Sequence, residues 1–348
     1  MHKKIIVLIV AFAFVINLSA CGHAEKTRYE GEFLKLFDTM TKIVAYTDSK
    51  EEFTKYSQLI YDNLEEYHEL YDIYNNYPGI NNIKTINDNA GIKPVKVDQR
   101  IIDLLLFSKQ WYKNSDGKVN VAFGAVLKIW HVYRTEGIDD ETNAVLPKID
   151  ELREAAKHTN INNVIIDEVN STVFLEDPKM SLDVGAIAKG YATEQVAQIA
   201  IANGFTSGLL SVGGNVRSIG NKGVNNELWN LGIQNPDLGS EKSNIQIVYL
   251  SDLSLVSSGD YERYYTVNGK KYHHIIHPTA LFPSEYYSQV TIICENSGVA
   301  DALSTAVFNM PFEEGLEFIN NLPNVEACWV MKDGEIKYSD NFKKYLQK

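Results

Sequence analysis

Three turn signals constrain the fold of this chain more than any other feature. Asn268-Gly269 and Asp333-Gly334 are two-residue turn pairs set between strand-like runs. Asn170-Ser171 stands in the same way between "NVIIDEV" and "TVFLE". All three predict hairpins. Further strands are expected in "LFDTMTKIVAYT", "DLSLVSSG" and "YSQVTIICE". Between and around them lie helical patterns. Residues 50–74 place Leu59, Ile60, Leu64, Tyr67 and Tyr71 on one face. "DQRIIDLLLFSKQWYKNSDG" reads as a capped helix ended near a glycine, and "PKIDELREAAKH" and "SGVADALSTAVFNM" as two more. "YPGINNIKTINDNAGIKP" reads as an irregular, Asn-rich loop. Helices and hairpins do not alternate one for one, which argues for an α+β fold and against a doubly wound parallel sheet. With no fixed repeat and no Pro/Ser-rich linker, the expectation is a single compact unit of mixed and antiparallel sheets with packed helices.

The first twenty residues read as a leader: a basic "MHKK", then the apolar "IIVLIVAFAFVI". That run is shorter than the roughly 20 residues a membrane span needs. "LSAC", Leu18 to Cys21, resembles the bacterial lipoprotein signal, in which the cysteine is lipidated and becomes the new N-terminus. A plain signal peptide or a short anchor also fits. The chain then divides into a signal peptide at 1–20, a polar tether at 21–32 and a working domain at 33–348. The expected location is the extracytoplasmic face of the bacterial membrane, held by lipid on Cys21. The formal charge of −12 becomes more negative once Lys3 and Lys4 leave with the leader. Such a balance argues against nucleic-acid binding. Cys294 and Cys328 sit in apolar runs and read as core thiols, a disulfide between them remaining open.

Four segments carry chemistry. In "SLDVGAIAKGYATEQVAQIA", Asp183, Gly185, Lys189 and Gly190 stand where a helix is expected to begin. Helix N-termini offer free N–H groups to anions, and Lys189 could reach the same anion. The pattern is neither a P-loop nor a dinucleotide fingerprint, and an Asp N-cap with a solvated lysine is the plain alternative. In "VADALSTAVFNM", Asp301 and Thr305 are four residues apart and share a helix face. Two hard oxygen ligands suit Mg²⁺ or Ca²⁺. In "VSSGDYERYYTVNGKKYHHIIHP", Arg263 lies beside tyrosines, and His273, His274 and His277 cluster. Strand alternation sends His273 and His274 to opposite faces, which favours one histidine as a general base over a zinc triad. In "SVGGN", Gly213-Gly214 implies tight packing or close approach of a ligand.

Taken in order, "DVGAIAKGYA", "SVGGN", "LGIQNP", "SSGDYERYY", "HHIIHP" and "ADALSTA" resemble the bacterial FAD:protein FMN transferases, the ApbE family of thiamine-biosynthesis-type lipoproteins. The likeness runs from "FDTMTKI" to "DALSTAVFNM", nearly the whole mature chain. It implies that FAD binds with its diphosphate bridged by Mg²⁺. A threonine hydroxyl of an acceptor flavoprotein would attack the FMN-side phosphorus, leaving FMN as a phosphoester and releasing AMP. Asp183 and Lys189 would contact FAD. The Ala186 carbonyl and the Asp301 and Thr305 side chains would hold Mg²⁺. Tyr74 matches a flavin-contacting aromatic, and "AFG", Ala122, Phe123 and Gly124, matches another FAD-contacting stretch. Thr39, Gly213, Gly214, Arg263 and Ile276 fall with the same cofactor contacts. His274 matches the histidine that assists proton removal from the acceptor.

The sequence departs from the family pattern in several places. His277 stands where the family has Asp, and Ala280-Leu281 where it has Thr-Gly. "FDT" replaces "MGT", and "AFGA" replaces "TVGP". Were the family's Asp the base, His277 would have to serve instead. A non-catalytic FAD-binding lipoprotein and a Mg²⁺-dependent FAD pyrophosphatase are the alternatives.

Overall fold

A computed structural model describes residues 26–346, apart from 35 and 224. The leader and Cys21 lie outside the described residues. An eight-stranded sheet runs in the order β1 (Thr27–Leu34), β2 (Met40–Thr47), β6 (Gly208–Val212), β7 (Asn215–Ile219), β10 (Ser254–Gly259), β13 (Tyr287–Cys294), β14 (Glu326–Met331) and β15 (Ile336–Tyr338). Three smaller sheets flank it. One is β3 (Val95–Lys96), β5 (Thr172–Leu175) and β4 (Val164–Asp167). The others are β8 (Trp229–Gln234) with β9 (Asn244–Leu250), and β11 (Tyr264–Val267) with β12 (Lys270–His273). Every strand pair among the described residues is antiparallel. The expected hairpins form at the expected turns. At Asn268-Gly269 both residues have positive φ, 50° and 77°, which matches the right-handed twist of the flanking strands.

The helices are α1 (Lys50–Tyr71), α2 (Ile83–Asp88), α3 (Gln99–Asn114), α4 (Gly124–Asp139), α5 (Ile149–Ala156), α6 (Ala188–Ala202), α7 (Ser297–Phe308) and α8 (Phe312–Asn320). Ser49 caps α1 by accepting the Glu52 N–H at 3.1 Å. The helix buries Ile60, Leu64, Tyr67 and Tyr71, as their spacing requires. Asp98 caps α3 in the same way, through the Arg100 N–H.

Alternation along the strands of the main sheet makes it a middle layer. Val256 and Ile292 face the large core shared with α1, α3, α6 and α7. Their chain neighbours Leu255 and Ile293 face a second cluster, with Leu231 and Val248 of the β8–β9 hairpin. The two cysteines fall on opposite sides of this division, Cys294 in the large core and Cys328 in the second cluster. Both are free thiols. A third cluster packs Val126 and Trp130 of α4 and Leu152 of α5 against Tyr265 and Val267 of β11.

The structure differs from the sequence reading in three elements. Residues 27–32, read as tether, belong to β1, which pairs along its whole length with β2. It is an edge strand whose charged residues face water, so only Gly31 is buried. Part of the Asn-rich loop is α2, started by a capping box of Asn82 and Thr85. The segment after "AFG" is α4, a helix that no cap signal in the sequence announces.

Candidate active site

The N-terminal end of α6 and the middle of α7 press together at one point. There Gly190 has no room for a side chain. A Cβ on it would stand 2.4 Å from the Asp301 Cβ and 2.4 Å from the Ser297 carbonyl oxygen. The contact lets the Gly190 N–H donate to Asp301 Oδ2 at 2.8 Å. Asn215 donates to the same oxygen from β7 at 3.1 Å. Asn215 is held there by the Gly213-Gly214 turn, with φ of 54° and 86°, which joins β6 to β7. Both fixed bonds fall on Oδ2, and Asp301 itself lines a cavity. Burial raises its carboxyl pKa, opposed by Lys189 and by the bonds from Gly190 and Asn215.

Expected site residues meet in that cavity. Lys189, Ala186, Asp301 and Thr305 line it, as do Asp183, Tyr74, Phe123, Gly213, Arg263, His274 and Ile276. Four others do not reach it. Thr39 stands behind Gly213, its hydroxyl 2.7 Å from where a Cβ on that glycine would be. Gly214 is the outer residue of the turn. Ala122 is fully buried, and Gly124 starts α4 hard against the backbone of Ser181 and Leu182 and borders a second cavity instead. Asp183 is not a helix cap. α6 begins only at Ala188, and the Asp183 carboxylate accepts the Gly185 N–H at 2.9 Å, closing the turn that precedes it.

The three histidines separate cleanly. His273 is buried and satisfied on both ring nitrogens: Nε2 bonds the Ser284 carbonyl at 2.7 Å, and Nδ1 accepts the Ile275 N–H at 3.2 Å. A carbonyl only accepts, so the proton of the neutral ring sits on Nε2. Burial pulls its pKa down to about 4. His277 is a turn residue outside the cavity lining. Its Nδ1 accepts the N–H groups of Thr279 and Ala280 at 3.1 and 3.2 Å, bonds a carboxylate could take equally well. His274 lines the cavity, and its buried Nδ1 has no hydrogen-bond partner. Burial, then Arg263 and other nearby cations, hold its pKa well below 6.5. It is neutral at pH 7.

Both departures at family glycine positions keep a glycine-like backbone. Asp38, in "FDT", has φ 52°, and Phe37 before it has φ 53°. Both line the cavity. Leu281 has φ 63° yet is 5 % exposed, packed in the cluster around Trp130. Trp130 Nε1 donates to its carbonyl at 3.0 Å.

Sequence reasoning missed the contribution of α4. Leu127, His131 and Arg134 line the cavity on the same face as the expected Phe123, which stands just before the helix. Their spacing of four, four and three is a helical stripe, and that signal was available. His131 Nδ1 bonds the Tyr74 hydroxyl at 3.1 Å, and its Nε2 lies 3.9 Å from Asp183 Oδ2. Ile73, Tyr74, His131 and Asp183 also border the second cavity. The first cavity measures about 220 Å³ and the second about 780 Å³.

The donor set fits a hard cation. Thr305 and the Ala186 backbone offer neutral oxygens, and Asp301 one carboxylate. Among the described residues no group of three or more His, Cys, Asp or Glu is placed to hold a metal. A single carboxylate with neutral oxygens suits an ion that takes its remaining ligands from water and substrate phosphates, as Mg²⁺ does. It does not suit zinc, whose sites are built from Cys, His and carboxylates.

Comparison with known proteins bears on the family. The model of the ApbE family matches residues 37–329. The FAD:protein FMN transferase of Treponema pallidum is 33% identical over 270 residues, 74% of this chain and 72% of that protein. That of Klebsiella pneumoniae is 30% identical over 255 residues, 73% of this chain and 76% of that protein. The crystal structure of the ApbE protein from Thermotoga maritima superposes with a TM-score of 0.81 at 29% identity, covering 92% of this chain and 100% of that one. By sequence, fold and the family match, the chain belongs to the ApbE family.

Proposed function

We propose that this protein is a Mg²⁺-dependent FAD:protein FMN transferase, moving FMN from FAD to a threonine hydroxyl of an acceptor flavoprotein and releasing AMP. The observation that carries the reading is one cavity wall bearing Lys189, the Asp301–Thr305 pair and the unpartnered His274. Named relatives of the chain are FAD:protein FMN transferases.

An alkyl hydroxyl is a weak nucleophile and a diphosphate repels it, so charge neutralisation and in-line placement matter most. Asp301, Thr305 and the Ala186 carbonyl would hold Mg²⁺, which supplies neutralisation of the diphosphate. Lys189 adds a second positive charge from the start of α6. His274 takes the proton as the threonine oxygen bonds to the FMN-side phosphorus. The bond from that phosphorus to the bridging oxygen breaks, and its electron pair leaves with AMP. The first cavity alone is smaller than the usual range for small-molecule sites, about 300–1,000 Å³. A dinucleotide therefore extends past Tyr74 and His131 into the second. The leader and Cys21 support placing the enzyme on the outer face of the membrane, where extracytoplasmic flavoproteins would be its acceptors.

The test mixes purified protein, FAD, MgCl₂ and a threonine-bearing flavoprotein domain. The expected result is flavin fluorescence that stays on the acceptor through denaturing electrophoresis, with AMP released in equal amount. Free FMN and AMP without adduct would make water the acceptor. FAD binding without AMP would make the protein a carrier. Either result overturns the proposal.

A further inference from the structure

Three cations that line the cavity have no carboxylate within ion-pair distance. Among the described residues, no ion pair and no side-chain hydrogen bond involves Lys189, Arg134 or Arg263. Of the carboxylates on the same walls, Glu262 lies close enough to feel the charges of Lys189 and Arg263 but pairs with neither, and Asp38 is likewise unpaired among the described residues; the others are hydrogen-bonded elsewhere. Asp72 accepts from Tyr74, Asn75 and Tyr77; Asp183 from Gly185; Asp301 from Gly190 and Asn215. Lys189 and Arg263 belong to the segments that resemble the family. Arg134 does not: it comes from α4, three residues beyond His131 and on the same stripe.

A half-buried guanidinium with no partner is expensive, because its N–H groups lose water and gain nothing. Arg134 shows that cost. Burial pulls its pKa below the usual arginine value, opposed by Tyr74 and Asp183, and Arg263 adds to the lowering. Arg263 is exposed and bears little of that cost, but its positive charge near Arg134 further disfavours the empty protein. An anion between them reverses the sign, since guanidinium–phosphate contacts are among the strongest hydrogen bonds available to a protein.

We infer that Arg134, together with Arg263, is a second anion-holding pair that grips the phosphates of the dinucleotide in the cavity that Lys189 and Asp301 also line. The inference rests on the FAD reading above and adds a residue and a role to it. Arg134 meets the charge already on the diphosphate and the charge that builds on AMP as the bridging bond breaks. It therefore serves both binding and turnover.

The test is Arg134→Gln in the full-length protein, with Arg134→Lys beside it. FAD and riboflavin are titrated separately by calorimetry with MgCl₂ present, and thermal unfolding is followed on the same samples. The expected result for Arg134→Gln is FAD affinity reduced about 10-fold or more, from loss of one charged hydrogen-bonding group. Riboflavin, which has no phosphate, should bind as it does to the parent. The unfolding temperature should be unchanged or higher, because no internal partner is lost. Arg134→Lys should recover part of the FAD affinity. Equal loss for FAD and riboflavin would place Arg134 on the flavin ring and overturn the inference. So would unchanged FAD affinity, or a fall in unfolding temperature that shows an internal structural role. If the parent protein itself fails to bind FAD, the functional reading falls first, and that result is distinct from all of these.

Discussion

Replacing Gly190 by alanine probes the clasp between α6 and α7 directly. The new Cβ would stand 2.4 Å from both the Asp301 Cβ and the Ser297 carbonyl oxygen, and ordinary contact begins at 3.4 Å. The helices must therefore separate by about 1 Å, given the close packing of protein interiors. That overpacking costs about 1–3 kcal/mol. The Gly190 N–H bond to Asp301, 2.8 Å long, then stretches beyond hydrogen-bond range. Its loss from a buried carboxylate costs about 1–3 kcal/mol more. Alanine returns about 1 kcal/mol through helix propensity. The net expectation is a loss of about 1–5 kcal/mol, measured by urea unfolding. Activity should fall as well. A misplacement of about 1 Å can cost about 10²-fold in rate, and here the displaced group is Asp301. Initial rates of acceptor labelling at saturating FAD and MgCl₂ supply the second readout. Parent-like stability and parent-like rate together would show that close approach at Gly190 does not place Asp301.

Two further outcomes follow from the loop and the histidines. Leu281→Ala and Leu281→Gly both lose a buried side chain, at a cost of about 2–5 kcal/mol, but only glycine relieves the positive φ of 63°. Leu281→Gly should therefore be the more stable of the two by about 1 kcal/mol, the reverse of the usual order; urea unfolding showing the usual order would refute a left-handed residue there. For His274 the folded pKa is depressed, so the neutral, active form persists as pH falls through 6.5. The acid limb of kcat/KM should lie below that value, and His274→Gln should remove the limb and slow labelling by about 10²–10⁴-fold. A limb at or above 6.5 would contradict the assignment of the base.

Local chemistry made much of this molecule legible. Asn268-Gly269 announced a hairpin because few pairs tolerate two positive φ angles, and Asp333-Gly334 because Gly334 supplies the one its turn needs, 88°. Ser49 and Asp98 announced helix starts because their side chains cap free N–H groups. The four-residue spacing of Asp301 and Thr305 is enough by itself to set two oxygen ligands on one helix face. Non-local effects hid the rest. α4 has no side-chain cap, and the face it turns to the cavity mixes apolar Leu127 with His131 and Arg134, so amphipathicity did not mark it as a surface helix. β1 carries the polar, charged surface of an edge strand and so resembled a tether. Only packing shows that His277 serves a turn, that Asn215 anchors a carboxylate, and that Asp38 and Leu281 hold backbone angles normally left to glycine.

The metal grip at Asp301 and Thr305 is the claim on which the rest depends. The most direct measurement is calorimetric titration of FAD into the parent protein and into Asp301→Asn, each with and without MgCl₂. In the parent, MgCl₂ should tighten FAD binding at least tenfold, since the cation joins the protein to the diphosphate. In Asp301→Asn that gain should vanish while metal-free FAD binding is retained. An equal gain from MgCl₂ in both proteins would place the cation elsewhere and contradict the account.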